Sequence, residues 1–588
     1  MKETLGILVA VAAATLTCNA PASAAPGDTE LISSREFLSP SGSVSPAGGS
    51  ISIYHAVSGD GRYVVFTSGA SGLISGDANA GKESSIFVRD RHDRTNWLLR
   101  NSRGEPVQGW DLFMSDNGRF IAFAGLRTNV LPDEAPIPFA ASQVFVYDRT
   151  TARFETIGKS GSFQPALSAD GRFVVYESAQ DTEVSGDTNG VKDVFLRDRQ
   201  RGTTERISIS TSGKQGKNVS QNGFVSADGR YVTFLSFALN LIDGTQLVYP
   251  GLFLRDRVNH TTTLVSVNAK GAPVQGDSGV ISANGRYVAF GCGHSDLIPG
   301  MTIVGQQVYV RDLQAKKTTV VSIDSLGNIG VTSPGSIQIS GDGRFVSFTS
   351  SLDTLVPYDT NGGFDAFIHD RQMGITSRAS VSSNGTEQTG SVDPSFFAPA
   401  ISANGRVIVF ASFAANLVPR DFNDARDVFA HVRTDLVSVR LNTGGPAYTD
   451  ALGRLWEADR NFSTGAAANH GVHVVNTLDS KLFEDERWDE PAAPELQYTF
   501  SLPKGTYRVH LLFAETYAPN FAKGRRVFHV DIEGKRAFTD LDVFGEVGAR
   551  SPLHKYATTT VTDGQLNIVF RHKVQNPIID AIEVVPWQ

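Results

Sequence analysis

Short hydrophobic runs recur along the first three quarters of the chain, each preceded by a serine and a glycine-containing turn. One copy reads VSADGRYVTF at Val225–Phe234, and six other segments share its form. The serines that open the seven copies are Ser58, Ser115, Ser168, Ser226, Ser282, Ser340 and Ser402. They lie 53 to 62 residues apart, and such a near-constant period indicates a structural unit that is repeated in space.

Each unit carries the signals of several antiparallel strands. Its Asp-Gly or Asn-Gly pair tolerates positive φ and is the strongest short hairpin signal. The run that follows is apolar at consecutive positions, which predicts a strand buried on both faces. Two further runs, such as Val194–Arg199 and Thr203–Ser210, complete four strands per unit. We therefore predict an all-β protein in which residues 29–434 form a seven-bladed β-propeller, with the extra strand Thr29–Ser34 completing the seventh blade.

The repeated phrase S-x-D-G-R-Y/F-V-x-F, followed by VF-x-RDR, resembles the PD40 or TolB-like class of propeller repeats. This resemblance covers roughly Thr29–Arg433 and implies the propeller fold. Its relatives include adaptor proteins, periplasmic partners and gating propellers, so a protein partner at one face of the propeller is also expected as an alternative role.

Residues that recur in every unit are expected to be architectural, because a catalytic residue is needed only once. The arginine after each turn glycine recurs seven times, and an aspartate at the end of a later strand recurs six times. Positions that differ between units are more informative. Four residues before the phrase serine, on the predicted innermost strand, stand the channel candidates Tyr54, Asp111, Gln164, Asn222 and Ser278. They predict either a small-ligand site in the central channel or a water-filled channel without a ligand.

Two loops place oxygen side chains at the same offsets. The residues are Asp187, Asn189 and Asp193 in one loop, and Asp359, Asn361 and Asp365 in the other. Their spacing resembles the first half of a calcium loop but lacks the terminal glutamate. Ordinary Asx turns before a strand explain the same residues. We therefore predict no cofactor, with calcium as the open alternative at these two loops.

Charge and the first residues restrict the location and the partners. The net charge is −8 with a pI near 5.9, which argues against the basic surface that nucleic-acid binding requires. Residues 1–25 combine Lys2, the apolar run Leu5–Leu16 and the small-residue site Ala22–Ala24, a pattern typical of a cleaved export signal. No later stretch has the length and apolarity of a membrane span. A secreted, periplasmic or cell-surface protein is expected.

After residue 434 the phrase stops and a different domain, residues 435–588, is predicted. Apolar and polar residues alternate in Arg508–Phe513 and Val527–Ile532, and Glu533-Gly534 marks a hairpin tip. This pattern favours a β-sandwich of two sheets.

Several motifs of this last domain, in order, resemble the malectin domain. They are Asn442-Thr443-Gly444-Gly445, Glu486-Arg487-Trp488, Phe513–Tyr517 and Leu541–Phe544. The resemblance implies a carbohydrate-binding sandwich that holds a short oligosaccharide among loops at one edge. By the same resemblance, Trp488 and Tyr517 match aromatic residues of the sugar site. Ala518 and Gln575, which precedes Asn576, depart from the family pattern, and Gln575 and Asn576 become the polar candidates at the rim.

The sequence therefore predicts an exported, non-catalytic carbohydrate-binding protein with the propeller as scaffold or second binding surface. No G-x-S-x-G or H-E-x-x-H motif occurs in the chain, so no catalytic residues are assigned. Two alternatives stay open. One is a polysaccharide hydrolase or lyase that uses the channel, for which Asp111 and Asp277 are the available carboxylates. The other is a protein-interaction propeller that a glycan-binding module localises.

Overall fold

A computed structural model describes residues 27–34, 54–70, 72–74, 84–134, 141–245, 247–330, 335–392, 399–419, 421, 425–490 and 494–587. The predicted export signal, residues 1–25, lies outside this set. Nearly all regular structure in the described residues is β. None of their helices has the length and hydrophobicity that a bilayer-spanning segment needs.

Seven four-stranded antiparallel sheets occupy the described part of residues 27–434. We number them 1 to 7 in chain order. The chain begins with β1 (Thr29–Leu31), which joins sheet 7. Sheet 1 consists of β2 (His55–Val57), β3 (Tyr63–Ser68), β4 (Ser85–Asp90) and β5 (Thr95–Leu98). Sheet 2 consists of β6 (Trp110–Met114), β7 (Phe120–Leu126), β8 (Ser142–Asp148) and β9 (Arg153–Thr156). Sheet 3 consists of β10 (Phe163–Leu167), β11 (Phe173–Ser178), β12 (Asp193–Asp198) and β13 (Thr203–Arg206). A short helix, α1 (Arg127–Val130), follows β7.

The next four sheets have the same order. Sheet 4 consists of β14 (Ser220–Val225), β15 (Tyr231–Ser236), β16 (Gly251–Asp256) and β17 (Thr261–Leu264). Sheet 5 consists of β18 (Gly279–Ile281), β19 (Tyr287–Cys292), β20 (Gln307–Asp312) and β21 (Lys317–Val320). Sheet 6 consists of β22 (Ile337–Ile339), β23 (Phe345–Ser350), β24 (Asp365–Asp370) and β25 (Ile375–Arg378). Sheet 7 has the order β1-β28-β27-β26, with β26 (Ala400–Ile401), β27 (Val407–Ser412) and β28 (Asp427–Val432).

The seven sheets contact one another in cyclic order. The first strand of each sheet contacts the first strand of the next, and β26 of sheet 7 contacts β2 of sheet 1. The backbone N–H of Asn404 donates to the carbonyl of Gly59 at 3.1 Å across this last junction. Strand β1 pairs antiparallel with β28, with Thr29 opposite His431. The extra N-terminal strand therefore completes the last sheet, as its sequence predicts.

A buried serine fixes each turn of the repeated phrase. In sheet 1, Ser58 Oγ donates to Asp60 Oδ1 at 2.6 Å and accepts from the Tyr63 N–H at 2.9 Å. Asp60 Oδ1 also accepts from the N–H of Arg62 at 2.9 Å. All seven phrase serines are buried and donate to the Asp or Asn two residues later. The phrase therefore encodes a turn whose buried polar groups are all paired.

The glycine of the phrase packs against the neighbouring sheet. Gly229 has a φ of +74°, and a Cβ there would lie 2.0 Å from Cδ2 of Phe173, the phrase aromatic of sheet 3. Each later glycine meets the aromatic of the preceding sheet in the same way. Gly61 of sheet 1 instead meets Val407 of sheet 7 at 2.4 Å. Since Val407 stands where the other phrases have an aromatic, the same contact also closes the cycle.

The recurring arginine and aspartate form ion pairs within each sheet. Six pairs have N–O distances of 2.6 to 2.8 Å: Arg62–Asp90, Arg119–Asp148, Arg172–Asp198, Arg230–Asp256, Arg286–Asp312 and Arg344–Asp370. The hydrogen bond from Arg172 holds the pKa of Asp198 at about 2. In sheet 7, Val432 stands at the aspartate position, and the exposed Arg406 is 4.0 Å from Asp435. These residues are architectural, as their recurrence predicts.

The C-terminal residues form three further sheets. A six-stranded sheet has the order β30-β31-β29-β41-β35-β38, a four-stranded sheet the order β34-β39-β36-β37, and a three-stranded sheet the order β32-β33-β40. The strands are β29 (Val439–Asn442), β30 (Tyr448–Thr449), β31 (Leu455–Ala458), β32 (Ala466–Asn469), β33 (Asp485–Trp488), β34 (Leu496–Ser501), β35 (Gly505–Phe513), β36 (Val527–Ile532), β37 (Lys535–Leu541), β38 (Leu553–Val561), β39 (Gln565–Val574), β40 (Ile578–Ile579) and β41 (Ala581–Pro586). Helix α2 (Val543–Val547) and two 3₁₀ helices, Ser480–Phe483 and Ala518–Asn520, connect them.

The hydrophobic core of this domain lies between the six-stranded and four-stranded sheets. Alternate side chains of β35 and β36, such as Val509 and Phe528, are fully buried there. Strands β36 and β37 form a hairpin with Glu533 and Gly534 at its tip, at φ of +51° and +71°. The alternating pattern and the turn predicted from the sequence are both present.

Arg440 links the C-terminal domain to sheets 5 and 6. It is buried, its Nε donates to Glu583 Oε1 at 2.6 Å, and Nη2 donates to the carbonyls of Ser325 and Gly374 at 2.9 and 3.1 Å. Burial raises the pKa of Glu583, but Arg440, Arg454 and His510 outweigh it and hold the pKa at about 2. A buried, hydrogen-bonded charge therefore fixes one domain against the other.

Candidate functional site

Trp488, the first predicted aromatic of the sugar site, is the last residue of β33. It lies opposite Ala466 of β32 and Ile578 of β40. Its side chain is half-buried and packs against the core of the sandwich. The indole therefore has a structural role, and only part of it is available to a ligand.

Tyr517, the second predicted aromatic, lies in the segment after β35 and before the 3₁₀ helix Ala518–Asn520. Its side chain is 43% exposed. Its backbone N–H donates to Glu515 Oε1 at 3.2 Å, and its ring centroid is 5.9 Å from that of His470. The buried Glu515 carboxylate fixes the backbone of Tyr517, so the phenol lies at the surface in a defined position.

Gln575 and Asn576 form the turn between β39 and β40. Gln575 is exposed with a φ of +63°, and Asn576 is partly buried. The N–H of Asp489 donates to the carbonyl of Pro577 at 3.1 Å. This bond brings the turn next to the residue that follows Trp488. Two of the predicted elements, the indole and the amide turn, are therefore neighbours in the three-stranded sheet.

Glu486 connects the tyrosine side of the site to the tryptophan strand. It is buried two residues before Trp488 on β33. Its Oε1 lies 3.2 Å from His470 Nε2, and its Oε2 accepts from Thr516 Oγ1 at 3.5 Å. The hydrogen bond to Glu486 raises the pKa of His470. His470 was not predicted from the sequence; its place beside Tyr517 follows from the pairing of β32 with β33.

Two further buried acids lie behind this surface. Glu515 Oε2 is 2.9 Å from Arg526 Nε, and Asp580 Oδ2 accepts from the Ala514 N–H at 2.7 Å. Burial raises the pKa of both carboxyls. Both side chains are fully buried, and Glu515 anchors the loop that carries Tyr517.

The residues described above include aromatic and hydrogen-bonding groups. A pyranose presents a C–H face that packs on an aromatic ring, and hydroxyls that bond to amide and imidazole groups. The exposed phenol of Tyr517 lies beside His470, and the half-buried indole of Trp488 lies near the Gln575–Asn576 turn.

The channel candidates of the N-terminal region lie on one cavity. Its volume is about 790 Å³. All five of the predicted positions line it: Tyr54, Asp111, Gln164, Asn222 and Ser278. Residues from sheets 1 to 7 surround the space, which places it at the centre of the cyclic array.

The two candidate calcium loops each surround an arginine. Arg206 Nη1 lies 2.7 Å from Asp187 Oδ1 and 3.4 Å from Asp193 Oδ2, and Asn189 Nδ2 donates to Asp193 Oδ2 at 2.7 Å. In the second loop Arg378 Nη1 lies 3.1 Å from Asp359 Oδ1 and 3.7 Å from Asp365 Oδ2.

Asn361 repeats the role of Asn189 and donates to Asp365 Oδ2 at 2.9 Å. Burial and the neighbouring Asp365 raise the pKa of Asp359 to about 7. In both loops a guanidinium lies among the carboxylate oxygens and forms charged contacts with them.

The C-terminal sheets form a β-sandwich. Residues 437–582 match the family model of the Malectin domain, and this part of the chain is a malectin domain. Receptor-like protein 4 of Arabidopsis thaliana is 31% identical over 142 residues, which are 22% of this chain and 23% of that protein. The chain thus spans about a quarter of the length of this curated relative.

Three solved structures match part of the chain at low similarity. The plant receptor-like kinase FER is 17% identical, with a TM-score of 0.24 and coverage of 31% of this chain and 64% of that one. The ANXUR1 extracellular domain of Arabidopsis thaliana is 15% identical, with a TM-score of 0.23 and coverage of 31% and 65%. A β-glucuronidase of Bacteroides uniformis is 15% identical, with a TM-score of 0.23 and coverage of 43% and 28%.

Proposed function

We propose that this chain is an exported, non-catalytic carbohydrate-binding protein whose malectin domain holds a glycan at the surface around Tyr517. The seven N-terminal sheets are the blades of a PD40-type β-propeller that acts as a scaffold or a second binding surface. Tyr517 and the exposed part of Trp488 pack against the sugar ring, and Gln575, Asn576 and His470 bond to its hydroxyls.

The exposed Tyr517 is the observation that carries this proposal. A phenol exposed by 43%, with its backbone anchored on the buried Glu515, offers a flat surface that does not need to be ordered on binding. Ordering a free side chain costs about 0.5–1.5 kcal/mol, so a fixed ring retains more of the contact energy. Its neighbours His470 and Thr516 are held by Glu486, so the polar rim is fixed in the same way.

Glycan binding by the full chain tests the site directly. We expect dissociation constants in the micromolar to millimolar range, roughly −8 to −4 kcal/mol, for at least one oligosaccharide on a glycan array. Tyr517→Ala is expected to weaken that binding more than tenfold, and Trp488→Ala less, because the indole is half-buried. Tyr358→Ala is the matched control, since Tyr358 is exposed but lies in the N-terminal region. Equal binding by the wild type and Tyr517→Ala would contradict the proposal.

The hydrolase or lyase alternative has one supporting observation. Asp111 and Asp277 line the same cavity, and burial raises the pKa of both carboxyls, as a general acid requires. Incubation of the full chain with a polysaccharide panel, followed by a reducing-end assay, separates the two functions. New reducing ends that disappear in Asp111→Asn would replace the binding proposal with an enzymatic one.

A further inference from the structure

The central cavity of the seven sheets is not symmetric. Three adjacent sheets, 2 to 4, begin with long first strands that contain a one-residue irregularity of register. The residues at these irregularities are Asp111, Gln164 and Asn222, with φ of +53°, +48° and +55°. The equivalent residues Tyr54 and Ser278 have no positive φ. A feature found in three of the six repeats whose residue at this position is described is not required by the repeat itself.

Each of the three residues adopts a backbone conformation that residues other than glycine rarely have. Such a conformation costs on the order of 1–3 kcal/mol per residue and persists where the surrounding structure holds it. A β-bulge re-aims the side chain of its strand, and here all three side chains line one cavity. Strained residues of this kind concentrate at ligand sites, which makes this sector of the cavity the candidate.

Hydrogen bonds between neighbouring sheets hold the bulges. The N–H of Gln164 donates to Asp111 Oδ2 at 3.2 Å, and the N–H of Asn222 donates to Glu177 Oε1 at 2.5 Å. Lys192 Nζ lies 2.7 Å from Glu177 Oε2 and donates to Gln221 Oε1 at 2.9 Å. The lysine and the glutamate therefore neutralise each other. Gln164 and Asn222 line the cavity beside Lys192.

The charge of the lining restricts the ligand. Asp111 and Asp277 belong to sheets 2 and 5, and burial raises the pKa of both carboxyls. An anionic ligand would meet like charge from both, whereas hydroxyl groups would donate to them. Phe113 and Phe224 line the same space and offer apolar surface for C–H groups. The volume of about 790 Å³ is within the range of small-molecule pockets.

We propose that this cavity is a second binding site, for a neutral mono- or disaccharide held by Asp111, Gln164 and Asn222. The site is separate from the surface around Tyr517, and the inference does not rest on the function proposed for the malectin domain. It assigns the N-terminal region a ligand of its own.

Glycine substitutions test this proposal without loss of the fold. Glycine adopts positive φ freely, so Gln164→Gly and Asn222→Gly remove the side chains while they preserve or stabilise the bulges. Lys316→Gly is the control, since Lys316 has a φ of +54° in an exposed turn outside the cavity. Calorimetric titration of the full chain would use glucose, galactose, maltose and cellobiose, with glucosamine and glucuronate as charged probes.

The expected result is binding of a neutral sugar that weakens at least tenfold in Gln164→Gly and Asn222→Gly and is unchanged in Lys316→Gly. Binding should persist in Tyr517→Ala, which separates this site from that of the malectin domain. Unchanged binding in both cavity variants, or no binding of any neutral sugar by the wild type, would overturn the proposal. Preference for glucosamine or glucuronate over glucose would overturn the assignment to a neutral ligand.

Discussion

The N-terminal sheets and the C-terminal sandwich are both built from β-strands, but they differ in whether their key residues and contacts recur along the chain. In the N-terminal region a serine and a glycine return in all seven sheets and an Arg–Asp pair in six of them, with equivalent partners in nearly every sheet. In the sandwich, Arg440, Glu486 and Tyr517 each occur once and have contacts found nowhere else in the chain described. Residues that recur in each repeat therefore have an architectural role, and residues that do not recur are candidates for another role.

The comparison also separates the two regions by how they hold buried charge. The six repeated ion pairs lie partly exposed at the ends of strands, with arginine side chains exposed by 29% to 44%. Arg440 and Glu583 are almost completely buried. Loss of Arg440 or Glu583 is therefore expected to cost more than loss of a partner in any one of the six repeated pairs.

Arg440→Met is expected to have the largest effect on stability. It removes the donors to Glu583 and to the carbonyls of Ser325 and Gly374, at a cost of about 3–5 kcal/mol for a broken buried pair. Thermal melting should shift to lower temperature, and trypsin should cleave between the regions faster. Arg460→Met, which breaks the exposed pair with Glu457, is the control. An unchanged melting temperature in Arg440→Met would show that the two regions are stabilised independently.

Gly229→Ala is expected to be the next most damaging change. The new Cβ would lie 2.0 Å from Phe173 at a positive φ, so steric overlap and backbone strain add to about 2–4 kcal/mol. Gly213→Ala has a φ of +82° with open space around it, and strain alone there costs about 1 kcal/mol. Urea unfolding of both variants measures the difference. Equal midpoints would rule out packing between sheets as the reason for the repeated glycine.

The repeated ion pairs should give a smaller effect that depends on pH. The hydrogen bond from Arg172 lowers the pKa of Asp198 to about 2 from the ordinary 3.8. A lowered folded pKa adds stability above pH 3.8, and this is lost as the pH falls towards 2. Asp198→Asn should lose about 1–3 kcal/mol at pH 7 and much less near pH 2, where the carboxyl is partly protonated in the folded state. Arg406→Met, at the sheet without the aspartate, should behave like wild type across this range.

Chelation of calcium is expected to leave the stability of the protein unchanged. Arg206 and Arg378 supply the positive charge in the two acidic loops, so melting of the full chain should be the same with EDTA and with added calcium. A calcium-dependent rise in melting temperature that Asp187→Asn removes would reassign the first loop as a metal site. Asp228→Asn, in a phrase turn, serves as the control.

The repeated part of the structure follows from the sequence because each signal occurs many times. The phrase serines, the turn glycines and the Arg–Asp pairs are each found where the repeat predicts them. The bulges at Asp111, Gln164 and Asn222 could not be predicted, because one extra residue in a strand leaves no periodic signal. The sequence located these residues on the innermost strand through their variability, while their conformation depends on acids of neighbouring sheets.

Less of the sandwich could be predicted from the sequence. Motif order identified the domain and named Trp488 and Tyr517, but the depth of a side chain depends on strand pairing. Trp488 is half-buried because β33 lies between β32 and β40, and His470 reaches Tyr517 only through that pairing. Neither fact is encoded in the local pattern around the residue concerned.

The pairing of Thr29 with His431, 402 residues later, sets an order for folding. Until β28 has been synthesised and folded, the first strand has no partner, and an unpaired outer edge of β28 presents free backbone groups that attract other strands. Entropy opposes closure of so long a loop only modestly, because the cost grows with the logarithm of its length. Assembly of this region is therefore completed last at its two ends, and a protease that removes the first few residues after Gly27 would reopen it.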